Sequence, residues 1–167
     1  KPSKIGELLS LTSVGVEHIV KYKNDFVYDI EVTTNRPELM SVLGLAREAA
    51  TVLPQNGIDA RLVEHKLELP KVTIKNAPPM TFKNDPKLVR RICAVIMEVT
   101  IKDSPQVMKH RLESSDILSL NNVIDITNYV MRETGHPTHV FDYVRLTNHT
   151  LIIREAQKGE KIPVNRW

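Results

Sequence analysis

The residues best equipped for chemistry lie in the run Asn121-Asn122-Val123-Ile124-Asp125-Ile126-Thr127-Asn128-Tyr129-Val130, which continues through Gly135-His136-Pro137-Thr138-His139 to Val140-Phe141-Asp142. Amides, carboxylates, a hydroxyl and imidazoles sit here on an apolar background. A segment that hydrophobic is partly buried on folding, and buried polar groups need hydrogen-bond partners. Either these groups bond to one another and to backbone, or some are kept for a ligand. Thr127 and Asn128 fall near the middle of a predicted helix, where such side chains compete with backbone hydrogen bonding. Two poor helix formers in succession suggest a use for the side chains; a threonine hydroxyl bonded to the preceding turn is the plainer explanation. His139 offers an imidazole, and its plainer role is a satisfied interior histidine. Asp125 suits a bond to backbone or to a neighbouring loop, and Asp142 suits a cap for a segment starting at Tyr143.

Other chemistries find little support. The six glycines stand at 6, 15, 44, 57, 135 and 159, too scattered for a dinucleotide fingerprint or a phosphate loop. His136 and His139 are three apart, but Pro137 between them argues against one helical face, and three zinc ligands do not assemble by spacing. A Ser–His–Asp triad stays open because its members need not be close in sequence, but no nucleophile-elbow motif supports it. A net charge of +3 tilts slightly toward anionic partners, yet no block of like charges or basic–aromatic repeat argues RNA binding by itself. No apolar run approaches the roughly 20 residues of a membrane span. The single cysteine, Cys93, excludes an internal disulfide and fits a reducing compartment; within the apolar run Ile92 to Met97 it is expected as a buried structural thiol.

The elements that must position these residues can be read from periodicity. Ile5, Leu8, Leu9 and Thr12 share a face of a short helix, with Ser3 as its expected cap. Residues 14–20 and 26–32 alternate like two strands of a hairpin turning at Lys23-Asn24-Asp25. Asn35-Arg36-Pro37-Glu38 is read as a helix start, with the apolar stripe Leu39 to Leu53 behind it and a stop near Pro54. Residues 64–86 are rich in charge and proline. Arg90 to Ile101 is expected as a central strand. Ser104-Pro105 is expected to cap a helix carrying Val107, Met108 and Leu112. A helix over about 123–132 closes at Gly135. Leu151 to Arg154 is a short strand, with a turn at Gly159-Glu160 before residues 161–164.

Two blocks of this sequence resemble one family. Asn121 to Met131 followed by Gly135 to Asp142 resembles the editing domain of the bacterial-type phenylalanine–tRNA ligase beta subunit. Asp29 to Leu39, then Ser41 to Glu48, is similar to the N-terminal domain of that subunit. Ser104-Pro105 and Gly159-Glu160-Lys161 also fall where the family has them. The resemblance covers almost the whole chain. It departs from the family in lacking the oligonucleotide-binding insert between the two hairpin strands. Leu118 replaces a common arginine, and His136 a common glutamine. The chain ends at Trp167, before the second half of the family's editing domain.

The resemblance implies an α+β fold with mixed or antiparallel sheets and packed helices in two small units. It divides the chain into 1–63 (helix–hairpin–helix), a 64–71 linker and 72–167 (first half of the editing domain). It implies hydrolysis of tyrosine wrongly attached to tRNA(Phe), with Thr127, Asn128 and His139 on one side of the pocket. Ester cleavage needs an oriented water and oxyanion donors. Asn128 and Thr127 are expected to donate, and His139 to position or partly deprotonate the water. The implied partners are tRNA(Phe) and the alpha subunit in an α2β2 cytoplasmic assembly. ATP and Mg2+ belong to that parent enzyme, with no cofactor expected in this chain and no editing by the isolated chain. The other reading is a non-catalytic piece for assembly or tRNA binding.

Overall fold

The computed structural model describes residues 1–63, 67–69, 71 and 76–162. Two compact units emerge, each built from two stretches of chain: residues 1–68 with 100–140, and residues 69–99 with 141–167. Helices, one antiparallel pair and one parallel pair make the fold α+β, as expected.

The first unit opens with α1, Pro2–Thr12. Lys1 is its N-cap position and Pro2 its first residue, so Ser3 lies inside the helix and not at its cap. Proline suits that place because its missing N–H has no intrahelical partner there. β1 (Gly15–Tyr22) and β2 (Asp25–Glu31) form the antiparallel hairpin, with a bulge between Val16 and His18. The tip needs Lys23 at φ 52°. The Tyr28 hydroxyl donates to the Pro2 carbonyl at 3.0 Å, tying hairpin to α1.

Asn35-Arg36-Pro37 does not start the long helix. Pro37–Met40 is a single 3-10 turn, and α2 runs from Val42 to Gln55 with Ser41 as its cap. Ser41 Oγ accepts from the Gly44 N–H at 3.0 Å and donates to the Glu38 carbonyl at 3.1 Å. The reason is Leu39, 1% exposed: burying it under α1 and β1 needs a break in direction before α2. Arg36 spans that break, donating to Glu38 at 2.5 Å and Glu48 at 3.0 Å. Two small clusters form the core. Leu8, Val52 and Leu53 pack with Ile5 and Ala49, while Leu9, Val14 and Leu39 pack with Val16, Ile30 and Leu45.

The same unit holds α3 (Gln106–Glu113) and α4 (Asn122–Thr134). Leu112 is the buried anchor of α3, 1% exposed, while Val107 faces solvent. The second unit pairs β3 (Thr81–Asn84) with β4 (Thr150–Ile153) in parallel. Asp142 caps the 3-10 turn at Tyr143–Arg145 by accepting from the Val144 N–H at 3.1 Å, as expected. Tyr143 stacks on His149 at 4.2 Å and donates to the Pro79 carbonyl.

Two expectations fail together. Arg90 to Ile101 is not a strand, and Cys93 within it is exposed. The alternating pattern is real, with Val95 78% and Ile101 69% exposed alongside Met97 and Val99. A strand is defined by neighbours that take its backbone bonds, and no ladder among the described residues takes these. The expected segment 161–164 lies partly outside the described residues. No helix among the described residues is long and apolar enough to cross a membrane.

Candidate functional site

α4 is fixed at both ends by its own sequence. The Asn121 carboxamide oxygen accepts from the N–H groups of Val123 and Ile124 at 3.0 and 3.2 Å. Such a cap satisfies helix-end donors that otherwise have no partner. Gly135 closes the other end at φ 81°, a left-handed conformation cheap only for glycine. A Cβ at Gly135 would stand 3.5 Å from Ser41 Cβ, so the C-terminus of α4 lies against the cap of α2.

Asn122 and Asp125 then tie α4 to the chain before it. Asn122 makes three bonds to an extended segment. Its side-chain oxygen accepts from Lys102 N–H at 2.9 Å, its Nδ2 donates to the Thr100 carbonyl at 3.0 Å, and its backbone N–H donates to Lys102 O at 2.9 Å. Asp125 is 0% exposed. Its carboxylate accepts from Ser104 Oγ at 2.5 Å, Ser119 Oγ at 2.6 Å and the Leu120 N–H at 2.8 Å. Burial pushes this carboxyl upward. The hydroxyls of Ser104 and Ser119, the Leu120 N–H and the Lys109 ammonium outweigh it, leaving the group below the ordinary carboxylate range. Ser104 is therefore a partner of Asp125 and not the cap of α3, a position held by Pro105 without a side-chain bond. The sequence signal for this was a buried aspartate near a neighbouring loop; its hydroxyl partners carried no signal.

The three site residues divide as follows. Thr127 Oγ1 donates to the Ile124 carbonyl at 2.7 Å, so its proton is committed to the preceding turn and its lone pairs remain. What Thr127 can still offer a ligand is acceptor capacity. Asn128 is half-buried, and its carboxamide makes no hydrogen bond among the described residues. It lies three residues after Asp125, on the stripe that continues to Arg132. Successive helix positions turn by about 100°, so Thr127 and Asn128 leave α4 in adjacent directions. His139 is exposed, in the loop four residues past the Gly135 cap of α4. A shallow depression of about 230 Å³ in this unit is lined by Val42, Leu43, Ala46, Arg61 and Glu133 among others; none of the three residues lines it.

Among the described residues no three His, Cys, Asp or Glu side chains gather to hold a metal ion. The buried carboxylate of α4, Asp125, is already filled by three protein donors, whereas Mg2+ asks for carboxylate oxygens open to it.

Comparison with known proteins places these elements. Residues 88–163 match the B3/4 domain model, which contains α3 and α4. The beta subunit of phenylalanine–tRNA ligase from Thermotoga maritima is 38% identical over 154 residues, covering 89% of this chain and 18% of that protein. The subunit of the same name from Clostridium acetobutylicum is 38% identical over 137 residues, 81% of this chain and 17% of its own length. That from Oceanobacillus iheyensis is 35% identical over 167 residues, 96% and 18% respectively. The chain thus spans under a fifth of the relatives it matches, and belongs across most of its own length to the family of phenylalanine–tRNA ligase beta subunits.

Proposed function

We propose that this chain is the part of a phenylalanine–tRNA ligase beta subunit that contributes one wall of a site for hydrolysing tyrosine misattached to tRNA(Phe). The observation that carries this reading is Asn128. Its neighbours Asn121, Asn122, Asp125 and Thr127 are all engaged, while the Asn128 amide keeps its donors and acceptor unspent among the described residues. A half-buried amide held on a helix pinned at both ends is a preorganised donor for a developing oxyanion. In this mechanism Thr127 accepts a hydrogen bond from the attacking water through its free lone pairs. His139 reaches the ester from the following loop and takes a water proton or contacts a ribose hydroxyl. An ester is already activated, so positioning does most of the work. The family modules at 1–63 and 72–167, the tRNA(Phe) and alpha-subunit partners, and the α2β2 cytoplasmic setting belong to this proposal.

The test is release of tyrosine from Tyr-tRNA(Phe) by the subunit containing this segment. Asn128→Ala is expected to slow release about 100-fold, the usual cost of one lost oxyanion donor. His139→Ala and Thr127→Val are expected to slow it, with Thr127→Ser near normal. Unchanged release in Asn128→Ala and His139→Ala removes the site assignment. A second reading has its own support: Val95, Met97 and Val99 of the second unit are exposed and give it an apolar edge suited to assembly within the subunit without catalysis. Substitution of that edge with serines would then weaken assembly while leaving tyrosine release per assembled enzyme unchanged.

A further inference from the structure

The first turn of α2 leaves one side open. Val42, Leu43 and Ala46 stand within one turn of each other and share that side of the helix. The chain after α2 comes back beside them. Ile58 and Ala60 pack on the cluster of Leu8, Val52 and Leu53, which fixes where Leu62 and Val63 run. α4 bounds the other end, because Gly135 lies against Ser41 and brings Glu133 to the start of α2. Together these residues shape the depression of about 230 Å³, which lies wholly within the first unit. Its floor is aliphatic, with no aromatic ring, and Val42 and Val63 keep 63% and 65% of their surface exposed. Two opposite charges line the same hollow, the Arg61 guanidinium and the Glu133 carboxylate. Both are exposed, and neither comes within 4.0 Å of the other or of any opposite charge among the described residues.

An unpaired cation and an unpaired anion beside an aliphatic floor complement a small molecule that carries both charges and a hydrocarbon branch. A guanidinium takes a carboxylate through two parallel hydrogen bonds, and a carboxylate accepts from an ammonium. In a free α-amino acid those two groups share one carbon, so a single molecule bridges the gap between Arg61 and Glu133. The hollow is smaller than the roughly 300–1,000 Å³ of sites for drug-sized ligands, which favours an occupant of that size. We infer that it is a binding site for a free aliphatic α-amino acid such as leucine. The carboxylate lies on Arg61, the ammonium on Glu133, and the branched chain on Val42, Ala46 and Val63. This site is separate from the proposed hydrolytic wall, none of whose residues lines it, so binding here is measured apart from ester release.

The probe is L-leucine titrated into the full chain while amide NMR shifts are followed. Saturable shifts are expected at Val42, Ala46 and Val63, with millimolar affinity because the hollow is open and the ligand small. Isocaproate lacks the ammonium and isoamylamine lacks the carboxylate; each is expected to bind about 10-fold or more weakly than leucine, for the loss of one charge-assisted hydrogen bond. Arg61→Gln and Glu133→Gln are each expected to weaken leucine binding by a similar factor. L-Phenylalanine, whose ring finds no aromatic partner and little depth, is expected to bind more weakly than leucine. Circular dichroism confirms that each variant is folded, and the ligand series on the unsubstituted chain decides the matter if one is not. Absence of saturable shifts would overturn the inference. So would leucine binding unaltered in both variants, or isocaproate, isoamylamine or phenylalanine binding as tightly as leucine.

Discussion

The Ser104 hydroxyl donates to Asp125 Oδ2 across 2.5 Å, joining the residue before Pro105 to the first turn of α4. Ser119 and the Leu120 N–H complete the same carboxylate, so a single buried side chain gathers the start of α3, the loop after it and α4. The direction in which Asn128 is presented depends on this junction, because Asp125 and Asn128 share a helical stripe.

Replacing Asp125 with alanine strips two hydroxyls and one N–H of their acceptor in a buried place. The expected loss is about 3 kcal/mol, from the cost of leaving buried donors unmade. A urea titration at neutral pH measures it; a loss below about 0.5 kcal/mol would show that the network relaxes freely.

The same group sets an acid response. Its folded pKa lies below the unfolded value, near 3.9. Its contribution is therefore present above about pH 4 and is lost as pH falls through the folded pKa. Asp125→Asn should lower stability at pH 7 and flatten the remaining dependence below pH 4. Parallel stability–pH curves for the two proteins would contradict this.

Gly44 is required by close approach. A Cβ there would sit 1.8 Å from the Glu38 carbonyl oxygen, a backbone atom that cannot swing aside. Gly44→Ala is expected to cost about 2–3 kcal/mol by forcing the Pro37–Met40 turn off α2. Gly57 makes the contrast, since nothing lies within 4 Å of a Cβ there and only its φ of 73° opposes substitution. Gly57→Ala should cost about 1 kcal/mol, and thermal melts of the two variants give the ranking.

Asn122 stands in for a neighbouring strand by bonding both Thr100 and Lys102. Asn122→Ala removes two side-chain bonds, each worth about 1 kcal/mol. Amide hydrogen exchange at Lys102 should rise by about 10-fold or more while the Gly44 amide stays protected. Equal changes at both amides would point to global loosening instead.

Arg154 donates to Glu160 through both terminal nitrogens, at 3.0 and 2.5 Å, and the Gln157 N–H donates to the same carboxylate. The Arg154 bond first, then the Gln157 N–H, lowers the Glu160 pKa to about 2. Any stability this exposed pair gives is lost only as pH falls through that value. NMR titration of Glu160 should show it, and Arg154→Met should return Glu160 most of the way toward about 4.3. A Glu160 titration near 4 in the unsubstituted protein would refute the bidentate geometry.

Local chemistry made several elements readable. Gly135 as the end of α4, Asp142 as a cap and the hairpin tip follow from short-range rules, because each concerns a residue and its own backbone within four positions. Thr127 shows the limit of such rules: both of its readings were stated, and the bond to Ile124 takes its proton while its lone pairs stay open. Ser104 looked like a cap because Ser-Pro usually begins a helix, but a buried carboxylate 21 residues away competes for its hydroxyl. Asn35 and Pro37 looked like the start of α2, until the burial of Leu39 moved that start to Ser41.

The order of chain alone determined the helices, the hairpin, the family motifs and the concentration of polar groups between 121 and 142, since these depend on periodicity and on side chains acting on nearby backbone. Tertiary structure decided which polar groups are already spent and which, like Asn128, are not. It also decided that Arg90 to Ile101 makes no ladder among the described residues and that Cys93 is exposed. A strand or a buried carboxylate takes its partners from distant chain, and no local pattern records whether those partners arrive.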